Sequence, residues 1–313
     1  MKKILKTIAI IVVVIIVAAV ACGDSSESGD EKQIVTSGDN KDTSSTTGTV
    51  DETDKVVSDA TSTASGDVTI EQQVLLDRDG IVITAVEYVT DSIWGDGIKL
   101  LLENNTDKTV MVGCKALIVN NYMISDLFAS EIAAGKKANE VMYLSNSQLK
   151  AAGIESVGQV EMYFHVSDSE SYDTIFDTDC ITIQTSAFTT MDTTPNDMGT
   201  ELYNANGIRI VGKTVDEDSF WGTAILLYCE NNSGQNANIS VEEMSINGFM
   251  MNPLFYTEIY DGKMAIEDIT VFSSDLEENG IEAIEEVELK FHIYNAENYD
   301  TIADSEPITF SAQ

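Results

Sequence analysis

The chain contains one long internal repeat. Residues 80–183 align without a gap to residues 207–310, an offset of 127 residues, and about 39 of about 104 aligned positions are identical. The match includes FHVSDSESYDTIFDTDCITI at 164–183 and FHIYNAENYDTIADSEPITF at 291–310. Similarity of this length indicates a duplicated folding unit. We name the copies repeat 1 (68–187) and repeat 2 (197–313), joined by a connector at 188–196.

Within each copy, apolar and polar residues alternate with a period of two. Runs such as GIVITAVEYV and VEMYFHV, or GIRIVGKTV and VELKFHIY, are rich in β-branched and aromatic residues and are separated by Asn, Asp and Gly. Seven or eight such strands in a copy of about 110 residues are typical of an immunoglobulin-like sandwich. The predicted fold class is therefore all-β, with two tandem immunoglobulin-like β-sandwich domains.

One short helix is predicted in each copy, at SNSQLKAAGI and at SSDLEENGI. Ser274 and Glu277 have the spacing of a capping box. Each helix ends at a glycine that is followed by Ile, Gly153 in one copy and Gly280 in the other. That order suits a left-handed residue after the last helical turn.

The first 22 residues, MKKILKTIAIIVVVIIVAAVAC, have the layout of a secretory signal: a basic start, an apolar run and small residues before Cys22. Ala-Val-Ala-Cys resembles the lipobox of bacterial lipoproteins, which usually has Leu where this chain has Ala19. The resemblance implies that Cys22 is lipidated and becomes the mature N-terminus. The alternative is an uncleaved membrane anchor. Both interpretations place the rest of the chain outside the membrane, on its extracellular face.

Residues 23–67 are rich in Ser, Thr, Gly and Asp and contain no aromatic residue. A segment of this composition buries too little apolar surface to fold, so it is predicted to be a disordered tether. A flexible coil of about 45 residues has a root-mean-square length of roughly 35–40 Å. Such a tether would hold the folded part clear of lipid headgroups.

The chain is strongly acidic, with 53 Asp and Glu against 17 Lys and Arg and a formal net charge of −36. This balance argues against nucleic-acid binding and against adsorption to anionic lipid. Cationic partners and divalent metal ions remain open. The simpler interpretation is that the charge keeps an exported protein soluble.

Three motifs occur in both copies: E-N-N at 103–105 and 230–232, a hairpin N-[NG]-[YF]-M at 120–123 and 247–250, and F-H…D-T-I at 164–175 and 291–302. Together with the signal and the tether, they resemble Gram-positive lipoproteins that carry immunoglobulin-like domains of the extracellular antigen type. The resemblance covers most of the chain. It implies a fold and a location, but no activity and no catalytic residues.

The chain has two histidines, His165 and His292, at the same position of the two copies. Phe164 and Phe291 fall on the predicted core face, so the histidines point outward. His165 would lie beside Glu161 and Tyr163 in sequence, and His292 beside Glu288 and Lys290. A structural hydrogen bond and a pH-sensitive binding role are both compatible with this position.

An acidic cluster in the repeated segment could bind Ca²⁺, which prefers oxygen ligands. Its candidate ligands are Asp168, Asp173 and Asp177 in repeat 1 and Asp300 and Asp304 in repeat 2. The alternative is that Asp173 and Asp300 end one strand and begin a turn. No EF-hand loop occurs.

Trp94 and Trp221 are aligned, and each precedes a Gly and a predicted strand. A tryptophan in a loop can stack on a sugar or a peptide side chain. It can also fill the core, as the buried Trp of immunoglobulin sandwiches does. Both interpretations remain open.

Cys114 and Cys229 align with aliphatic residues of the other copy, so they are predicted to be small buried hydrophobes. A bridge between Cys114 and Cys180 is possible, although repeat 2 has Pro307 in place of the second cysteine. Whether the two cysteines are close enough to pair cannot be read from the sequence.

The sequence contains none of the spacings of a hydrolase triad, a zinc site or a phosphate-binding loop. The expected function is therefore non-enzymatic: a cell-surface lipoprotein, anchored in the membrane by its N-terminal lipid, that binds an envelope protein or glycan. The alternative is an extracytoplasmic protein that binds a small ligand or Ca²⁺ in a groove between the repeats.

Overall fold

The computed structural model describes residues 32–36, 68–91, 94–125, 127–219 and 222–312. Over these ranges the chain is all-β with two short helices. Each repeat has two antiparallel sheets that enclose a hydrophobic core, one core per copy. The prediction of an all-β, immunoglobulin-like sandwich fold is confirmed.

Strand β1 (Lys32–Thr36) precedes both repeats and is described with repeat 2. The first sheet of repeat 1 has the order β2-β3-β4-β8, and the second is built on β5 and β9. The strands of repeat 1 are β2 (Gln73–Arg78), β3 (Ile81–Asp91), β4 (Gly95–Asn104), β5 (Val110–Val119), β6 (Tyr122–Ile124), β7 (Ala129–Ile132), β8 (Lys137–Tyr143), β9 (Gln159–Asp168), β10 (Thr174–Asp177) and β11 (Ile181–Gln184). Strands β6 and β7 pair with different parts of β5, and β10 and β11 pair with different parts of β9.

Repeat 2 has the same plan. Its strands are β12 (Thr200–Ala205), β13 (Ile208–Ser219), β14 (Gly222–Asn231), β15 (Ala237–Ile246), β16 (Phe249–Met250), β17 (Tyr256–Ile259), β18 (Lys263–Phe272), β19 (Val287–Asn295), β20 (Thr301–Asp304) and β21 (Ile308–Ala312). The first sheet runs β12-β13-β14-β18, and β15 and β19 form the centre of the second.

The residues that the period-two pattern predicts to face the core are buried. Val160, Met162, Phe164 and Val166 are all buried in repeat 1, and the aligned Val287, Leu289, Phe291 and Ile293 are buried in repeat 2. Successive side chains of a strand point to opposite faces, so the residues between them lie on the outer face of the sheet.

The two helices are α1 (Asn146–Ala151) and α2 (Ser273–Glu278). Gly153 and Gly280 follow them with φ of 75° and 67°, as predicted, and the amide of the next Ile donates to a carbonyl five residues earlier in each copy. The predicted capping box is wrong. Helix α2 already begins at Ser273, so Ser274 is a helical residue, and no side chain caps the start.

The tether prediction fails at one place. Lys32–Thr36 forms β1, which pairs with β13 through its first two residues and with β21 through its last three. Ile34 is 3% exposed and belongs to the core of repeat 2. The composition of 23–67 hides this strand, because the strand's only apolar residues are Ile34 and Val35, and its partners lie about 180 residues away in β13 and about 275 residues away in β21. The other residues of 23–67 lie outside the described residues.

The copies share a continuous sheet. Strand β18 of repeat 2 pairs in parallel with β6 of repeat 1, with Met264 opposite Tyr122. Apolar side chains pack on both faces of this junction; they are Tyr122, Ala152, Val211, Tyr228, Met264 and Ile266 on one side and Ala116, Ile118 and Tyr260 on the other. An ion pair between Lys263 and Glu161, 2.5 Å apart, also joins the copies.

No helix in the described part of the chain is long and apolar enough to cross a membrane. The predicted signal at 1–22 and its Cys22 lie outside the described residues.

Candidate binding surface

Each histidine forms a pair with an aspartate on the neighbouring strand. His165 Nδ1 lies 2.6 Å from Asp177 Oδ1, and His292 Nδ1 lies 2.6 Å from Asp304 Oδ1. Both histidines point outward, as predicted, but their partners are these aspartates rather than their neighbours in sequence. The hydrogen bond with His165 lowers the pKa of Asp177, burial opposes that shift, and the ammonium of Lys115 adds to it.

The structure does not gather the five predicted calcium ligands. Among the described residues, no group of three or more His, Cys, Asp and Glu side chains is arranged to hold a metal ion. Asp177 and Asp304 are paired with the histidines instead. In repeat 2, the carboxylate of Asp300 accepts a hydrogen bond from the side-chain amide of Asn298 at 3.0 Å.

Asp168 orders the turn after β9. Its Oδ1 accepts hydrogen bonds from the amides of Glu170 and Ser171 at 3.0 and 3.1 Å, which lower its pKa together with Lys108. Asp173 closes the same turn, because its carbonyl accepts from the amide of Asp168. In repeat 2 the uncharged Asn295 makes the same two bonds, to Glu297 and Asn298. The turn therefore needs an oxygen acceptor at this position and does not need a charge.

The outer face of the second sheet of repeat 2 carries an aromatic surface, which we call the tyrosine face: Tyr256, His292, Tyr294 and Tyr299. In the sheet, Ser240 of β15 lies opposite both Tyr256 and His292, and Asn238 lies opposite Tyr294. The inward neighbours of these residues are buried, so the strands present the aromatic side chains to the outside.

The rings of the tyrosine face stack in a row. The rings of His292 and Tyr294 are 5.0 Å apart with 28° between their planes, and those of Tyr294 and Tyr299 are 6.1 Å apart at 27°. The hydroxyl of Tyr256 donates to Asn238 Oδ1 at 2.9 Å. Tyr256 and Tyr299 are 59% and 73% exposed. The row is thus both ordered and accessible.

Acidic groups border this face. Asp304 is bonded to His292, and Glu258 follows Tyr256 on the outer side of β17. Burial raises the pKa of Glu258, with Lys115 of repeat 1 opposing and Glu297 adding to the shift. Burial also raises the pKa of Tyr256, as do the nearby Tyr294, Glu258 and Tyr299. The hydroxyl of Tyr256 therefore stays protonated at neutral pH.

Tyr299 has an unusual backbone. Its φ is 63°, and the aligned Tyr172 has φ 64°, a left-handed conformation that is rare for a bulky residue. It costs an L-residue about 1–2 kcal/mol. The turn thus holds an exposed tyrosine in a conformation that Gly or Asn would adopt more easily, and because both copies do so, this backbone belongs to the framework that the repeats share.

Repeat 1 lacks the rest of the aromatic row. Ala129 stands at the position of Tyr256 and Ser167 at that of Tyr294, and Gly113 replaces Ser240 between the strands. The pair of His165 and Asp177 is present, so this pair belongs to the shared framework. The tyrosine face is specific to repeat 2, and comparing the two copies position by position in the sequence would have revealed it.

The remaining candidates are dispersed. Trp94 is 41% exposed and its ring lies 6.2 Å from that of Tyr143, so the core interpretation of Trp94 is wrong. Trp221 lies outside the described residues. Cys229 is buried as predicted, whereas Cys114 is only partly buried, and no disulfide joins Cys114 to Cys180.

Comparisons with known proteins add little. No protein-family model matches the chain, and no curated protein matches it. Among solved structures, the chain is similar to the YadV chaperone, with 13% identity, a TM-score of 0.23, and 72% of this chain and 98% of that chain covered. The complex of the SafA pilin of Salmonella enterica with the SafB chaperone gives 10% identity, a TM-score of 0.21 and coverages of 69% and 88%. A Porphyromonas gingivalis protein of unknown function has 10% identity and a TM-score of 0.18, and the match covers 79% of this chain and 96% of that chain. Similarity at this level carries no argument about function.

Proposed function

We propose that the chain is an extracytoplasmic lipoprotein, anchored through Cys22, that binds a protein partner with the tyrosine face of repeat 2. The observation that carries this proposal is the tyrosine face, in which the rings of His292, Tyr294 and Tyr299 stack in a row and Tyr256 and Tyr299 are exposed. The signal and lipobox in the sequence support the location. The absence of catalytic spacings from the sequence supports binding over catalysis.

The composition of the face supports a protein partner. Tyrosine with Ser and Asn, here Ser240 and Asn298, is the combination that binding surfaces use, since rigid aromatic side chains supply contact area at low entropic cost. A sugar needs an open ring face to stack on. Tyr294, the middle ring of the row, is covered on both faces by His292 and Tyr299, which leaves Tyr256 and Tyr299 as the exposed rings. The acidic border formed by Glu258 and Asp304 favours a cationic partner.

We expect substitution of the tyrosine face to abolish capture of the partner. Residues 23–313, which retain every described residue, are immobilised and exposed to an envelope extract. Replacing Tyr256, Tyr294 and Tyr299 by Ser should reduce capture of the specific component at least about tenfold, because truncating a few aromatic anchors costs at least 2 kcal/mol. Quantitative mass spectrometry of the bound fraction measures the loss.

The matched control is Tyr172→Ser, which removes the aligned tyrosine of repeat 1 and leaves the row intact. It should bind like the unsubstituted chain. Protease treatment of the extract should abolish capture, whereas glycosidase treatment should not. Equal capture by the triple variant would contradict the proposal, and a captured component that survives protease would identify a glycan partner instead.

A further inference from the structure

The two repeats complete the same part of the sandwich from different parts of the chain. In repeat 1, the segment just before β2 lies beside the end of the last strand. The amide of Ser186 donates to the carbonyl of Thr69 at 2.9 Å, and the amide of Thr69 donates to Ser186 Oγ at 3.1 Å. The next residue, Ile70, packs against the core of repeat 1.

Repeat 2 cannot do this with its own sequence. Residues 68–72 read VTIEQ, but the aligned residues 195–199 read PNDMG. These turn toward repeat 1, where the amide of Asn196 donates to the Tyr122 hydroxyl at 2.8 Å and its side chain donates to the carbonyl of Ala151 at 2.9 Å. Strand β1 fills the vacant position. Ile34 lies opposite Ala312, the position at which the register of repeat 1 places Ile70.

The position is shaped for the strand that fills it. A Cβ on Gly212 would lie 2.8 Å from Ile34 Cδ1, so a side chain there would collide with Ile34. Repeat 1 has Ala85 at this place. The hydroxyl of Thr200 donates to the carbonyl of Ile34. Proteins bind an added strand through backbone pairing and through a pocket for an apolar side chain, and here β13 and β21 supply the pairing while the space beside Gly212 holds Ile34.

We propose that repeat 2 carries a strand-binding site, formed by β13, β21, Thr200 and Gly212, for an extended peptide with a central aliphatic residue, and that Lys32–Thr36 occupies it as a releasable strap. Release is feasible because the strap has five residues, and residues 23–31 and 37–67 separate it from its neighbours in sequence. The strands that hold the strap also pair with other strands of repeat 2: β13 pairs with β12 and β14, and β21 pairs with β19.

The strap sets the length of chain between Cys22 and the folded repeats. Its consequence for the distance from the membrane rests on the proposed lipidation of Cys22. With β1 bound, the nine residues 23–31 connect Cys22 to repeat 2, and a flexible coil of nine residues would have a root-mean-square length of roughly 17 Å. With β1 released, the connection is the whole of 23–67 and leads to repeat 1, with a length of roughly 35–40 Å. The strap thus selects between a short and a long tether.

Peptide binding to a vacated site tests this proposal without lipid or partner, so its failure is separate from failure of the proposed function. The probe is a fluorescein-labelled peptide of residues 30–38, titrated into residues 23–313 by fluorescence anisotropy. Ile34→Asp should vacate the site and bind the peptide at least about tenfold more tightly than the unsubstituted chain does. The exposed Gln33→Asp is the matched control and should behave like the unsubstituted chain.

A double variant and a measurement of amide exchange test the same proposal. Adding Gly212→Val to Ile34→Asp should abolish peptide binding, because the valine side chain would fill the space that the Ile34 side chain occupies. In the unsubstituted chain, the amides of 33–36 should exchange with deuterium at least about tenfold more slowly than in Ile34→Asp. Equal peptide binding by the two chains, no binding by Ile34→Asp, or amide exchange at the rate of the free peptide would overturn the proposal. A dimer that exchanges β1 between copies would overturn the assignment within one chain.

Discussion

Replacing Glu267 by Gln should stabilise the protein at pH 8 by about 2–3 kcal/mol. Glu267 lies on the inner side of β18, opposite the buried Leu227 and between Ala265 and Ile269, which are both fully buried. Burial, with a contribution from Asp268, raises the pKa of Glu267 to about 7. Among the described residues, no donor or cation compensates its charge.

The sign follows from proton linkage. The folded state holds the proton of Glu267 more tightly than the unfolded state, so the protonated carboxyl costs no stability below about pH 4.5. As the pH rises from there to about 7, the unfolded chain ionises first and the folded state loses about 3 kcal/mol relative to it. The advantage of Glu267→Gln should therefore be small at pH 4.5 and full at pH 8.

Urea unfolding at the two pH values measures this difference. Glu140→Gln is the matched control, because Glu140 occupies the aligned inward position of repeat 1 but has the hydroxyl of Ser130 at 3.4 Å. It should change stability by no more than about 1 kcal/mol. If Glu267→Gln gives the same change at pH 4.5 and pH 8, burial does not govern the ionisation of Glu267.

Asn231→Asp should destabilise the protein by about 3–5 kcal/mol. Asn231 is fully buried and uses its whole side chain. Its amide group donates to the carbonyls of Gln235 and Ile259 at 2.9 and 2.7 Å, and its oxygen accepts from the amide and the hydroxyl of Ser233 at 2.9 and 2.7 Å. In the aspartate, an oxygen would face both carbonyls and a charge would be buried without a partner.

Asn232→Asp is the control, since this neighbouring residue is exposed. It should cost no more than about 1 kcal/mol. The same contrast is expected in repeat 1 between Asn104→Asp and Asn105→Asp, because Asn104 makes the same four bonds. Denaturant unfolding monitored by tyrosine and tryptophan fluorescence provides the four values. Equal effects at the buried and exposed positions would show that this network does not stabilise the turn.

The core could be predicted from the sequence because alternation alone decides which residues of a strand face inward. Phe164 and Phe291 therefore fell on the correct face, and the histidines after them on the other. The partners of the histidines could not be predicted, because a bulge shifts the register between β9 and β10 before Asp177 reaches His165. The E-N-N motif is evident in the sequence because it occurs in both copies, but only the structure shows that its first Asn makes four side-chain hydrogen bonds.

The surface features escaped prediction for a different reason. The tyrosine face joins side chains from two strands and a turn, so no single stretch of sequence contains it. Strand β1 has only two apolar residues in its sequence, Ile34 and Val35, to distinguish it from the polar residues around it, and its partners β13 and β21 lie in repeat 2. Non-local pairing of this kind leaves little trace in local composition.

The pairing of β6 with β18 covers a strand edge in each copy that the copy alone would leave open. Alone, repeat 1 would present the unpaired backbone of β6 beside exposed Ala116 and Ile118, and repeat 2 would present the open edge of β18. Unpaired edges of this kind invite association with other chains. Repeat 1 is synthesised first and must wait for β18 to cover its edge. The β6 edge of the first copy therefore stays uncovered until β18 of the second copy is in place.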